Sequence, residues 1–368
     1  MAGPLSGIKI VEFAGIGPGP FCGMILADLG AEIIRIDRAS QHGQGNTIDF
    51  QHRSKSSLSA DLKNPKTIEE IKKLLASVDG LIEGFRPGVM ERLGLGPEEC
   101  FKINSNLVYG RMTGWGQDGP LAKTAGHDIN YIALTGALEL MGRKDETPPP
   151  PLNLVGDFGG GGMFLALGIV SAILNIKQGG KGQVVDAAMV DGASVLMSMF
   201  YAFKASGFWL EERESNMLDG GAHFYDTYEC SDGKFLAIGA IESQFYKVLL
   251  DKLEISDAKF QNQHDRNQWP ELKDIIKNKI KKKTRDEWAD IFDGTDACVA
   301  PVLNLSEAPE HHHMKARNSF IKIDGTIQPA PAPRFSETTP EIKHSALKAG
   351  ENNDEICAKY NLDRTCFK

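Results

Sequence analysis

Along the first half of the chain, short runs of strand character alternate with stretches whose apolar residues recur at helical spacing. Ile8 to Phe13 is a β-rich run, the Gly/Pro loop Gly15 to Pro20 follows, Phe21 to Leu29 reads as helix and Glu32 to Ile36 as the next strand. Leu58 to Leu62, Gly80 to Glu83, Leu107 to Arg111 and Gln183 to Asp186 predict further strands, with helices such as Thr67 to Leu75 between some of them. This alternation predicts an α/β lobe built on a mainly parallel sheet. The longest apolar stretch, Met163 to Ile176, is too short for a bilayer and predicts a buried core helix. Past Ser215 the pattern changes: Lys234 to Ile241 predicts a strand, and Ser243 to Lys252 and Glu271 to Ile280 predict helices. Pro148 to Pro151 reads as a rigid connector and the basic run Lys279 to Arg285 as a solvated helix face. The pattern gives two lobes, with linkers near 190–220 and 315–335.

Composition narrows the class. A chain of 368 residues exceeds a typical single core, and 41% hydrophobic with 24% charged residues describes an ordinary globular protein. A net charge of -8 argues against a general nucleic-acid binder, yet allows a local basic pocket for an anionic ligand. The six cysteines form no CxxC pair, so neither a zinc site nor a disulfide framework is expected, and a reducing compartment is. The first apolar run is already a strand pattern, so no secretory leader and no membrane partner are expected. His311, His312 and His313 read as surface residues, so no metal is assigned to them.

Strand, Gly-rich loop, helix and a second strand ending at Asp37 imitate a dinucleotide site. Gly15, Gly17 and Gly19, however, are interleaved with Pro18 and Pro20. The dinucleotide fingerprint needs GxGxxG and N–H groups that proline lacks, so NAD and FAD are not expected. Three other places carry chemistry. Gly126 to Tyr131 (GHDINY) is a polar cluster opening a helix predicted over Ile132 to Met141. Taken alone, His127 there reads as a capping or core histidine before a catalytic one, and Asp128 as a possible N-cap. Asn153 to Phe158 leads into Gly159 to Gly162. Four glycines at a helix start are costly in backbone entropy, so close backbone approach is needed there. Their amides could hold a developing oxyanion, while Asp157 is either chemical or a plain cap. Glu242, between a strand and a helix, reads by position alone as a first-turn stabiliser.

Gly126 to Tyr131, Pro151 to Gly162, Lys181 to Asp191, Asn216 to Tyr228 and the opening Leu5 to Arg38 resemble the acyl-CoA racemase branch of the class III CoA-transferase superfamily, with motif order and spacing kept over residues 3–335. The resemblance implies that His127 and Asp157 are the two acid/base residues and that Glu242, within Ala240 to Phe245, pairs with the histidine. It places Arg38, Ala60, Asp61, Leu62 and Lys63, with Gly126, Asp128, Ile129, Asn130 and Tyr131, around CoA; Arg86 and Arg92 are additional candidates. Arg86 gains because it follows a strand end, where α/β sheets place ligands. Met112, Met189, Met197, Met199 and Met217 are read as core or as an adaptable acyl-chain surface.

The implied fold is a large Rossmann-like lobe over 1–190, completed by about 330–368, with a linker over 191–220, a smaller α+β lobe over 221–315 and a return linker over 316–329. Two such subunits interlock in the family, so His127 and Asp157 would come from one chain of a homodimer and Glu242 from the other. The implied reaction interconverts (2R)- and (2S)-2-methylacyl-CoA thioesters by 1,1-proton transfer through an enolate, without a metal or redox cofactor. It needs one base on each face of the α-carbon; histidine titrates near neutrality as a type, and burial can bring a carboxyl to match it. The alternative is a class III CoA-transferase with Asp157 as nucleophile. His127 favours the racemase, because transferases of the superfamily commonly carry a non-basic residue there. Relatives occur in peroxisomes and mitochondria, but Thr365 to Lys368 is not an SKL-type signal, which leaves the cytoplasm open. Ser243 and His223 stand where the family usually has proline.

Overall fold

Six of the strand-forming runs join one all-parallel sheet in the computed structural model, which describes residues 3–368. They are β1 (Lys9–Phe13), β2 (Glu32–Arg38), β3 (Lys55–Ala60), β4 (Gly80–Glu83), β5 (Val108–Thr113) and β6 (Gln183–Ala188), ordered β3-β2-β1-β4-β5-β6. Among its helices are α1 (Pro18–Asp28), α2 (Pro65–Leu75), α3 (Asp128–Leu134), α4 (Met163–Lys177) and α5 (Met189–Leu196). Alternate side chains feed two cores. Val11, Ile34, Leu81 and Tyr109 pack with Ile71 and Leu74 of α2 and with Ile356 of the helix Asn353–Tyr360. Ile10, Ile33, Ile82 and Val108 pack with Leu26 of α1 and with Leu165 and Ile169 of α4. Burial on both faces explains why these strands read as apolar runs.

Local chemistry sets the boundaries. β3 starts earlier than the predicted Leu58, because the fully buried Lys55 is neutralised by Glu12, at 2.6 and 2.9 Å. It stops at Ala60, where Asp61 Oδ1 accepts from the Lys63 N–H and turns the chain. The Asn64 side chain then caps α2 on the Lys66 N–H, with Pro65 at the first helical position.

The chain crosses between two units more often than its pattern suggested. The first holds residues 3–135, 151–197 and 312–368; the second holds 136–150 and 198–311. The predicted helix over Ile132 to Met141 is accordingly short: α3 ends at Leu134, and Gly136 takes a left-handed φ of 78° as the chain leaves the first unit. Residues 191–220 are not a plain linker, since they contain most of α5 and the helix α6 (Ser198–Ala205). Nor is 316–329: it holds the antiparallel hairpin Phe320–Ile323/Thr326–Pro329, where Gln328 and the Pro329 carbonyl accept from Arg53.

The second unit is an antiparallel sheet, β7 (Tyr225–Glu229), β8 (Phe235–Gly239) and β9 (Val299–Pro301), with helices α7 (Ser243–Lys252), α8 (Trp269–Ile280) and α9 (Arg285–Phe292). His223 belongs to its core: Nε2 lies 2.6 Å from the Tyr246 hydroxyl, and burial pushes its pKa down to about 3. The basic run Lys279 to Arg285 is not uniformly solvated. Arg285 is buried and grips Glu307 through two bonds of 2.7 and 2.9 Å.

Candidate active site

The strand order reverses between β1 and β4, the switch point where doubly wound sheets place ligands beyond their carboxyl ends. A cavity of about 700 Å³ opens there, lined by the loop from Phe13 to Pro20, by Ile82 and Gly84 to Pro87 after β4, and by Met112 to Trp115 after β5. Arg38, Arg86, Gly126, His127, Tyr131 and Asp157 all line it. The Gly15 to Pro20 loop, set aside as a dinucleotide site, is thus a wall of this cavity. Pro18 and Pro20 sit in the first turn of α1, so Gly19 alone offers an N–H between them.

Asp157 and His127 reach the cavity by different routes. His127 takes extended backbone (φ -135°, ψ 173°) as the N-cap of α3, leaving Asp128 as first helical residue rather than cap. The His127 N–H donates to Asn130 Oδ1 at 3.0 Å, and its imidazole is exposed. Asp157 lies on a π-helix, Leu154–Gly162, that runs into α4, and the N-cap there is Asn153. Its carboxyl accepts from Asn153 Nδ2 at 3.2 Å, and its own N–H donates to Asp128 Oδ2 at 2.7 Å. Burial raises the Asp157 pKa above the usual carboxylate value, with the Asp128 charge pushing the same way and Asn153 and His127 opposing.

The four glycines do meet a need for close approach, but the partner is protein. A Cβ on Gly160 would lie 2.6 Å from the Ala193 nitrogen, and one on Gly192 would lie 1.8 Å from the Gly160 carbonyl oxygen. Gly161 and Gly162 press on Met189 and Phe21 in the same way. None of Gly159 to Gly162 lines the cavity, and the Asp157 N–H is engaged, so the expected oxyanion donors are not found in this turn.

The remaining predicted residues divide. Ala60 is the register partner of Arg38, so Ala60, Asp61, Leu62 and Lys63 lie at the adjacent strand end, outside the cavity lining. Arg92, Asp128, Ile129 and Asn130 do not line it either; Arg92 closes the short helix Val89–Arg92, and Asp128 is buried. Glu242 belongs to the second unit, exposed, as the N-cap of α7. Met112 and Met189 line the cavity, whereas Met197 is buried elsewhere. Sequence reasoning missed Trp115, for which a strand end followed by Gly114 and Gly116 was the only signal, and Glu83. Glu83 ends β4 next to the cavity lining, and burial pushes its carboxyl up to about 7, partly countered by the Phe85 N–H and by Arg111.

Fold and cavity together define a doubly wound α/β protein that gathers an imidazole, a carboxyl and two guanidinium groups at its switch point. The chain belongs to CoA-transferase family III, whose description matches residues 5–353. It is 46% identical to alpha-methylacyl-CoA racemase of Mus musculus and 44% identical to that of Homo sapiens, each over 98% of this chain and 94% of the relative. A solved CAIB/BAIF family protein from Brucella suis has a TM-score of 0.82 at 26% identity, covering 98% of this chain and 100% of that one.

Proposed function

We propose that this protein is a 2-methylacyl-CoA racemase that moves the α-proton between His127 and Asp157. The observation that carries this reading is the presence of an exposed imidazole and a half-buried, pKa-raised carboxyl on one cavity. A 1,1-proton transfer needs two groups that can each take up and release a proton, and here a carboxyl whose pKa is raised by burial shares the cavity with a histidine. One group removes the proton from one face of the α-carbon; the other returns a proton to the opposite face. Arg38 and Arg86 supply cations for CoA phosphates, and the Ala60–Lys63 strand end extends that edge. Met112 and Met189 give the branched acyl chain a deformable apolar wall.

The reaction proposed needs no metal or redox group, because both proton carriers are side chains. Two chains are proposed to form a homodimer, with Glu242 of one serving His127 of the other, as the resemblance implies. Support comes from the first unit, where Leu134, Leu154, Leu167, Leu174 and Val195 are exposed apolar side chains. Incubating a pure (2R)-methylacyl-CoA in deuterated water tests the reading. Epimerisation accompanied by one α-deuterium is expected, and it should survive chelation and nucleotide removal. CoA exchange onto a free carboxylic acid without epimerisation would establish the transferase alternative instead.

A further inference from the structure

Asp128 was expected beside CoA, yet it is 5% exposed and does not line the cavity. Its carboxylate faces the other way, into the helix that carries Asp157. Oδ2 accepts the Asp157 N–H at 2.7 Å, and Oδ1 is buried without a hydrogen-bond partner. The approach is built into the partner helix: a Cβ on Gly156 would fall 2.7 Å from Asp128 Oδ2, so only glycine at 156 lets the two meet. A buried carboxylate with one oxygen unsatisfied is costly. A fold that needed only a helix start at this point could use a neutral cap.

We infer that Asp128 is a positioning residue for Asp157: it fixes the backbone of the catalytic carboxyl by one hydrogen bond and sets a negative charge behind it. The inference rests on the racemase reading for its reaction, but its geometry stands apart from CoA binding. His127, one residue earlier, lines the cavity while Asp128 turns inward, so the start of α3 supplies one base and steadies the other. The groups facing Asp157 are His127, Asp128 and Tyr131 from α3 and Asn153 from its own helix, while the α1 loop brings only Gly17. Among these, Asp128 is the one whose anionic charge favours a proton on Asp157.

Two substitutions separate geometry from charge. Asp128→Asn keeps an oxygen able to accept the Asp157 N–H and removes the charge. Asp128→Ala removes both. The measurement is the α-proton exchange rate of each enantiomer in deuterated water, over pH, with acyl-CoA KM followed alongside. In Asp128→Asn, exchange of the enantiomer deprotonated by Asp157 should keep most of its maximal rate. Its rising acidic limb should move to lower pH, because an aspartate without the neighbouring anion loses its proton more easily. In Asp128→Ala the maximal rate should fall on the order of tenfold with KM unchanged, as expected of a displaced catalytic group. If Asp128→Ala does not fold, the Asn variant carries the test alone through its pH limb. A limb that stays in place in Asp128→Asn, or a raised KM with an intact rate in either variant, overturns the inference and returns Asp128 to CoA binding. Wild-type protein lacking α-exchange would instead overturn the racemase reading, so the two failures are distinct.

Discussion

Glu83 and His223 illustrate how burial decides what a titratable side chain can do. Both are enclosed, and burial drives each towards its neutral form, Glu83 up to about 7 and His223 down to about 3. The folded Glu83 value lies above the ordinary 4.5, so between about 4.5 and about 7 the folded chain keeps a proton that the unfolded chain has released. Stability owed to this group therefore falls as pH rises through that window. In Glu83→Gln the side-chain oxygen can still accept the Phe85 N–H, and Arg111 keeps Glu91 and Gln117. The melting temperature of the variant relative to wild type should rise between pH 5 and pH 8. A constant difference would show that Glu83 ionises freely. In the sequence Glu83 read only as the end of a strand and His223 only as a departure from the family pattern, and neither placement foretold burial.

At the scale of elements, strands and amphipathic helices were legible because their apolar residues repeat at fixed spacing, as in β4, predicted and observed over Gly80–Glu83. What escaped was set by tertiary contact. Gly159 to Gly162 announced a close approach, but not whether a ligand or a helix would make it; the partners, Met189 and Ala193 of α5, lie some thirty residues on. Joined to α4, the π-helix makes one helix of 24 residues, Leu154–Lys177, long and apolar enough to cross a membrane by length and composition only, unlike the shorter run predicted. Here it packs on the sheet, with Leu165, Ile169 and Ile173 buried. Gly192→Ala drives a methyl into the Gly160 carbonyl and should cost about 3 kcal/mol in chemical denaturation, typical of severe overpacking. A change within experimental error would mean that α5 is free to shift away from the helix bearing Asp157.

At the scale of the whole molecule, the two-lobe division was readable from the change of texture near Ser215, while the excursion of 136–150 was not, because Gly136 to Met141 continue the apolar run of α3 and read as the same helix. His127, Asp157 and Glu242 each also suit a helix start, so their proposed roles were legible only through the resemblance carried by GHDINY, Asn153–Gly162 and Ala240 to Phe245. Association is testable at this scale. Inactive His127→Ala and Glu242→Ala chains, refolded together, should regain part of the activity if each site draws on two chains. No recovery in a preparation shown to contain hybrids would contradict the shared site. The central claim concerns the two bases, and the most direct measurement is α-deuterium exchange on each enantiomer separately with His127→Ala and Asp157→Asn. Each variant should lose exchange of a different enantiomer by roughly 10²–10⁴-fold while retaining slower exchange of the other, and both should lose net racemisation. Racemisation surviving His127→Ala nearly unharmed, or both variants losing exchange of the same enantiomer, would contradict the two-base account.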